Sequence, residues 1–572
     1  PDTTNLVNKK VVAFRVFSDV LTDGDLGQLG SGLYVSAHGS HVAGTITGRW
    51  GKYEILPGVE VEMAGVAPMA ELFTYPVFGD TPEMLAAFEV MAAEDQIDAV
   101  NLSLGTTTWL MDRPETHPVA LAMSGAADAG VLVVGSSGNA GGNGRTSLSG
   151  GWKYAEDLMV VGNTSSTGRT GVTVKVMETD VPDALKSLIA SPVKPYTDTI
   201  TGEMAFVAGG GCGPADNVTD KIAVVERLDG QAQPVGSCDF LSRAVNMKNS
   251  GAKAIFYLYY DRFGGAGANN TALPAMSMGL PGSKALMEWL KAGNKLTVEY
   301  GLQQNRDYGG VPDYLAPSSS RGPGLDWTIK PDISAPGTDI ISGVLADDNP
   351  NDTKPPMIAT WPAYTGTSMA APHVTGAAGL LRSIHPDWTV DQLRSALITS
   401  SEPVVTTGTP DARTQADVTQ SGPGRLDLSD AHDPRIFMDP PKASFGVLKP
   451  GEKDTIDVAV SSANGKTTWW DVTVEPGPGS GSAVAMSSVK TLTVEKDKTA
   501  TIAISLDASG ADKAEQWGYV VLKQRDKAPA PPGIYLPALF RNSDLGGGAP
   551  SALARDAAPA QSEGPDVDDL RT

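Results

Sequence analysis

One stretch restricts the fold of this chain more than any other: Tyr364-Thr365-Gly366-Thr367-Ser368-Met369-Ala370-Ala371-Pro372-His373-Val374, continuing into Gly376-Ala377-Ala378-Gly379-Leu380-Leu381. A glycine bend delivers one serine to the start of a helix, and the residues that follow are small enough to be buried against a sheet. A hydroxyl at a helix N-terminus sits among backbone N–H groups that lack intrahelical partners, so an oxyanion forming beside it meets donors already in place. Taken alone, the pattern fits equally a serine that only caps its helix, the commoner role at such a position.

Two further stretches change that balance. Ala37-His38-Gly39-Ser40-His41-Val42-Ala43-Gly44-Thr45 opens a second small-residue helix with a histidine. Val131-Leu132-Val133-Val134-Gly135-Ser136-Ser137-Gly138-Asn139-Ala140-Gly141 reads as a buried strand running into a tight loop that presents an asparagine. Nucleophile, base and side-chain oxyanion donor are the parts acyl transfer needs. In order and content the three stretches resemble the subtilisin-like serine peptidases, or subtilases, whose signatures are H-G-T-H-V-A-G, A-A-G-N and G-T-S-M-A-x-P. The resemblance implies that Ser368 attacks the peptide carbonyl and that His38 takes its proton and returns it to the leaving amine. Asn139 would donate to the oxyanion together with the Ser368 backbone N–H, with a weaker contribution from the Thr367 hydroxyl. It implies too that Ser103-Leu104-Gly105 and Ser136-Ser137-Gly138 pair with an extended substrate and wall the pocket for the side chain before the cut, their small size pointing to broad preference. By family position His41 and His373 pack or hydrogen-bond, while His117, His385 and His432 read as surface or loop residues.

The surrounding pattern is an alternation. Strand-like segments at Lys9 to Phe17, Glu71 to Val77, Asp98 to Leu104, Val131 to Val134 and Leu158 to Gly162 are interleaved with helical spacing at Met84 to Gln96 and Val119 to Ala129. This predicts an α/β fold, a doubly wound parallel sheet covered on both faces, with the site at the carboxyl ends of the strands. Residues 1–167 form the first part of this catalytic domain. After Thr167 the texture changes, and residues 168–305 resemble a protease-associated (PA) domain, which subtilases often carry between the asparagine and the serine. The catalytic pattern resumes over 306–436, through Ser318-Ser319-Ser320-Arg321-Gly322-Pro323 and Lys330-Pro331-Asp332-Ile333-Ser334-Ala335-Pro336-Gly337. From 437 to 542 short strands separated by turns such as Lys449-Pro450-Gly451 suggest a C-terminal β-sandwich similar to the fibronectin-type module of this family. Residues 543–572 lack apolar periodicity and read as a disordered tail.

Charge narrows the partners. With 66 acidic against 44 basic residues, the net charge of -22 argues against nucleic acid or an anionic membrane and suits a soluble extracellular protein. Two cysteines, Cys212 and Cys238, rule out a multi-cysteine metal site and would form one disulfide in an exported protein. No run is long and apolar enough to span a membrane. The resemblance implies a secreted endopeptidase acting on protein or peptide substrates with no required cofactor. Calcium is common in the family's loops, but no acidic loop here has a diagnostic ligand spacing.

The triad's aspartate is the departure. The family places it on a mid-sheet strand ending in D-T-G or D-S-G, upstream of an H-P-D-L-like segment whose end Pro1-Asp2 resembles. Neither tripeptide occurs ahead of His38, and the single rival, Asp23-Gly24-Asp25, has turn-like flanks. The expectation is therefore an N-terminally truncated sequence, with the aspartate's strand and a propeptide upstream. The alternatives are an inactive subtilase-fold binding or surface module, and a serine-carboxyl peptidase with a glutamate base. The latter is disfavoured by the setting of His38.

Overall fold

The computed structural model describes residues 10–542 apart from 16–36, 57–58, 78–80, 95–96, 106–112, 167–168, 187, 193–198, 228–237, 239, 264–271, 281, 302–303, 308–311, 348–356, 410–411, 481–483, 488, 512, 514 and 526–533. In the catalytic region the elements that position the site are β1 (Val11–Phe14), α1 (Ala37–Thr47), β2 (Leu72–Thr74), α2 (Thr81–Ala93), β3 (Ala99–Leu102), α3 (Pro118–Asp128), β4 (Leu132–Ser136), β5 (Leu158–Thr164), β6 (Ile333–Pro336), β7 (Ala363–Tyr364), α4 (Thr367–Ile384) and α5 (Val390–Thr399).

A strand covered on both faces must be apolar at nearly every position, and β4 and β5 are buried along their whole length. They form the centre of a parallel sheet ordered β6-β5-β4-β3, in register through Ile333 with Val161, Val133 with Leu158, and Ala99 with Leu132. Alternate residues face opposite cores. Leu132, Val134, Met159 and Val161 meet Ala370, Ala371, Val374 and Ala377 of α4 and Leu393 and Leu397 of α5. Val133, Leu158 and Val160 meet Met84, Phe88 and Met91 of α2 and Val119 and Met123 of α3. The small residues of α4 thus let a helix lie close on the sheet.

The described strands of this region do not form one continuous sheet. β1 pairs in parallel with β2 as a separate two-stranded piece, and among the described residues β2 and β3 each keep one edge without a strand partner. Their burial reflects it: every residue of β2 is half-buried and β3 alternates between half-buried and buried.

Helix α1 is held against α4 by close backbone approach. A Cβ at Gly376 would come 2.6 Å from Val66 Cβ, so only glycine lets the two segments touch. The same segment caps α1, with N–H groups of Gly65, Val66 and Ala67 donating to carbonyls of Gly48, Thr45 and Ile46 at 2.8, 3.0 and 2.8 Å.

Between β5 and β6 the chain makes a separate module, an eight-stranded sheet that closes on itself because Thr297–Tyr300 pairs with both Ile200–Val207 and Arg169–Val176. Its own core gathers Val172, Leu188, Val224, Phe256, Met276 and Leu286, and Cys212 and Cys238 are joined in a disulfide with Cα atoms 5.5 Å apart. From Ile436 onward a four-stranded and a five-stranded sheet share one core that includes Val458, Val460, Trp470, Ile502, Ile504, Val520 and Leu536.

The joint between the parallel sheet and the C-terminal sheets is polar inside. Asp332 is fully buried between Lys330, 2.8 Å away, and Lys442, and accepts from Val160 N at 2.7 Å. The two ammonium groups hold its carboxyl down at about 2 against the cost of burial, while burial lowers Lys330 to about 8.

Candidate functional site

Ser368 is the second residue of α4, after Gly366 as N-cap and Thr367. Its own N–H falls in the first turn, where no intrahelical acceptor exists. Its hydroxyl points to the carbonyl at the end of β3, Oγ lying 3.4 Å from Ser103 O. A chain of side chains fixes that meeting. Thr375 of α4 donates to Asn101 Oδ1 at 3.2 Å, Asn101 Nδ2 donates to Ser103 Oγ at 2.9 Å, and Ser103 Oγ donates to Ser368 O at 2.7 Å.

His38 stands at the start of α1, exposed to solvent on one side; desolvation on the other lowers its pKa, so the ring is neutral at pH 7 and able to accept a proton. One turn later His41 ties the helix to the approach to the serine. It is fully buried, donates from Nε2 to Ile340 O at 2.9 Å, and stacks on Tyr364 of β7 with ring centroids 4.4 Å apart. Burial pushes its pKa down to about 4, and His38 and His373 both add to the shift, which places all three imidazoles within electrostatic reach. His373 donates from Nδ1 to Met369 O at 2.8 Å inside α4. No hydrogen bond joins His38 to Ser368, and no ion pair joins His38 to a carboxylate among the described residues. Asp23 and Asp25 lie outside the described residues.

Asn139 leaves the buried end of β4 and is exposed. Its Oδ1 accepts from Thr367 N at 3.1 Å and from Thr367 Oγ1 at 3.2 Å. With Oδ1 so engaged, Nδ2 has no hydrogen-bond partner among the described residues and is available to donate. Thr367 Oγ1 also accepts from Gly138 N at 3.1 Å, so this hydroxyl serves the loop that carries Asn139.

One expectation needs correcting. The main chain of Ser136, Ser137 and Gly138 is already engaged within the protein. Ser137 N donates to Val161 O at 2.9 Å, and the carbonyls of Ser137 and Gly138 accept from Ser149 N at 3.1 Å and Ser320 N at 2.9 Å. Ser136 O accepts from the buried ammonium of Lys153. These three residues are buried and can wall a pocket, but have no backbone group left for a substrate strand. Leu104 and Gly105, by contrast, have backbone groups without hydrogen-bond partners among the described residues, beside Ser103. The Gly105 and Gly138 positions both face Ser149, where a Cβ at either would come 2.5 Å from Oγ.

The remaining histidines have structural work. His117 caps α3 by accepting from Val119 N at 3.2 Å, and His385 stacks on Trp388 at 3.8 Å while bonding His432 O at 2.8 Å. Sequence reasoning passed over Asn101, Lys153, Thr375 and Arg145, the last of which leaves the Asn139 loop to pair with Glu515 of the C-terminal sheets. Among the described residues no cluster of three or more His, Cys, Asp or Glu side chains could hold a metal ion, and no helix is long and apolar enough to cross a membrane.

The pattern of the subtilase family, Peptidase_S8, matches residues 22–428. The minor extracellular protease Vpr of Bacillus subtilis (strain 168) is 32% identical over 384 residues, 64% of this chain and 42% of that protein. The subtilisin-like protease SBT4.9 of Arabidopsis thaliana is 27% identical over 391 residues, 67% of this chain and 49% of its own. The CO(2)-response secreted protease of the same plant is 24% identical over 470 residues, 77% and 58% of the two chains. The chain therefore spans about half the length of these relatives.

Proposed function

This chain belongs to the subtilase family, and from that premise we propose that it is part of a secreted serine endopeptidase of broad preference, with Ser368 as nucleophile, His38 as general base and Asn139 as oxyanion donor. The observation that carries the proposal is the pair of hydrogen bonds that Thr367 N and Oγ1 donate to Asn139 Oδ1, which ties Asn139 to the residue next to Ser368 at the head of α4 and leaves Nδ2 without a hydrogen-bond partner among the described residues. Substrate pairs along Ser103, Leu104 and Gly105, where Leu104 and Gly105 have backbone groups without hydrogen-bond partners among the described residues, and rests its side chain against Ser136, Ser137 and Gly138.

The triad's third member is an aspartate on a strand upstream of the sequence given, lying between β2 and β3. One feature supports this: among the described residues, β2 and β3 each keep an edge without a strand partner. The inserted module is read as a protease-associated domain and the C-terminal sheets as a fibronectin-type sandwich. Casein hydrolysis by a chain extended upstream tests the reading. The extended chain should cleave casein, and its Ser368→Ala variant should not; hydrolysis that survives Ser368→Ala would refute it.

A further inference from the structure

Three successive carbonyls hold the strap that leads to Asn139, and their donors are not alike. Ser137 O and Gly138 O accept from backbone N–H groups of Ser149 and Ser320. Ser136 O accepts from Lys153 Nζ, which also lies 3.2 Å from Ser136 Oγ. Lys153 sits in the turn Gly151–Tyr154 and is fully buried, its Nζ 5.2 Å from the centroid of the Trp152 ring. No carboxylate is ion-paired with it among the described residues, and burial alone lowers its pKa to about 7. An ammonium in such a place is expensive, and a methionine of similar length would fill the space without the desolvation cost. Packing therefore does not account for the lysine; its bond to Ser136 does.

We propose that Lys153 is a positioning residue of the oxyanion hole, clamping the end of β4 so that the strap from Ser136 to Asn139 holds its donor at the serine. The proposal rests on the peptidase reading given above. The end of β4 is where a covered strand hands over to a loop, and the Ser137 and Gly138 anchors both lie beyond it. Without the lysine, Ser136 O is a buried acceptor with no donor, and the loop gains freedom at its root. The effect would reach Asn139, whose Nδ2 makes no hydrogen bond of its own among the described residues.

The test is Lys153→Met in the full-length protein, read in two ways. Steady-state kinetics should show kcat lowered about 10-fold or more with KM within about twofold, because only the transition state uses the donor. Thermal melting should show Tm unchanged or raised, which separates positioning from folding. Unchanged kcat, or a fall in kcat that tracks a loss of folded protein, would overturn the proposal. The second readout does not depend on activity: hydrogen–deuterium exchange of peptides covering 136–141 should quicken by about 10-fold or more while α5 stays unchanged. Unchanged exchange there would overturn it even if the protein proved not to be a peptidase, and a chain without Ser368-dependent turnover but with the local loosening would sink the peptidase reading alone.

Discussion

Protonating His41 should loosen the joint between α1 and the strand that leads into Ser368. The ring is fully buried, its Nε2–H is committed to Ile340 O, and Nδ1 has no partner. A proton added at Nδ1 would be a buried charge facing His38 and His373 rather than an acid. The folded-state pKa is about 4 against 6.5 for a free imidazole. Because the folded value is depressed, the stability contributed by neutral His41 is complete above 6.5 and is lost as the pH falls toward 4. Linkage gives a loss of about 2 kcal/mol at pH 5 and about 3 kcal/mol at pH 4, relative to pH 8. Urea unfolding at pH 8 and pH 5 would measure it, with His41→Gln as the reference, since glutamine can donate to Ile340 O but does not titrate. The wild type should lose about 2 kcal/mol more than the variant between the two values. His38 and His373, whose pKa values burial also lowers, remain in both proteins. Equal losses would refute the reasoning.

Other perturbations have definite outcomes. Asn139→Ala in the upstream-extended enzyme should lower kcat by about 10²- to 10³-fold with little change in KM, measured on a peptide substrate. Asp332→Asn would leave Lys330 and Lys442 facing each other without their carboxylate and should cost about 3–5 kcal/mol by urea unfolding. Gly138→Ala places a Cβ 2.5 Å from Ser149 Oγ at a φ of +108°, and should cost about 1–3 kcal/mol together with most of the activity.

Much of the architecture was readable because local pattern and tertiary role agree. The unbroken apolar runs of β4 and β5 mark strands covered on both faces, and the glycines and alanines after Ser368 mark a helix pressed against a sheet. The strands at Ala443–Leu448, Thr468–Pro476 and Thr491–Val494 follow a two-residue period that the sequence displays. The hairpin of Gly51–Leu56 with Val59–Met63 was not anticipated, although charged Lys52, Glu54, Glu60 and Glu62 alternate with Tyr53, Ile55, Val61 and Met63 as a strand requires. Ile436–Asp439 and Val484–Ser487 were missed because their apolar residues, Ile436-Phe437-Met438 and Val484-Ala485-Met486, run consecutively without the alternation that marks Thr491–Val494. At the site, Ser368, His38 and Asn139 announced themselves through motifs, yet their supports did not. Thr375 and Asn101 are 274 residues apart, and Lys153 and Ser136 are 17 apart across a loop. No local period connects such pairs. The engaged backbone of Ser136 to Gly138 was equally invisible, because its partners, Ser149, Val161, Ser320 and Thr367, come from four separate segments.

The central claim is that Ser368 is an activated nucleophile, and fluorophosphonate labelling tests it most directly. The probe would be applied to the upstream-extended chain and to its Ser368→Ala variant, with circular dichroism confirming that both are folded. The account predicts covalent labelling of the first at Ser368 and none of the second. A folded, extended chain that takes up no probe would contradict it and leave a subtilase fold used for binding.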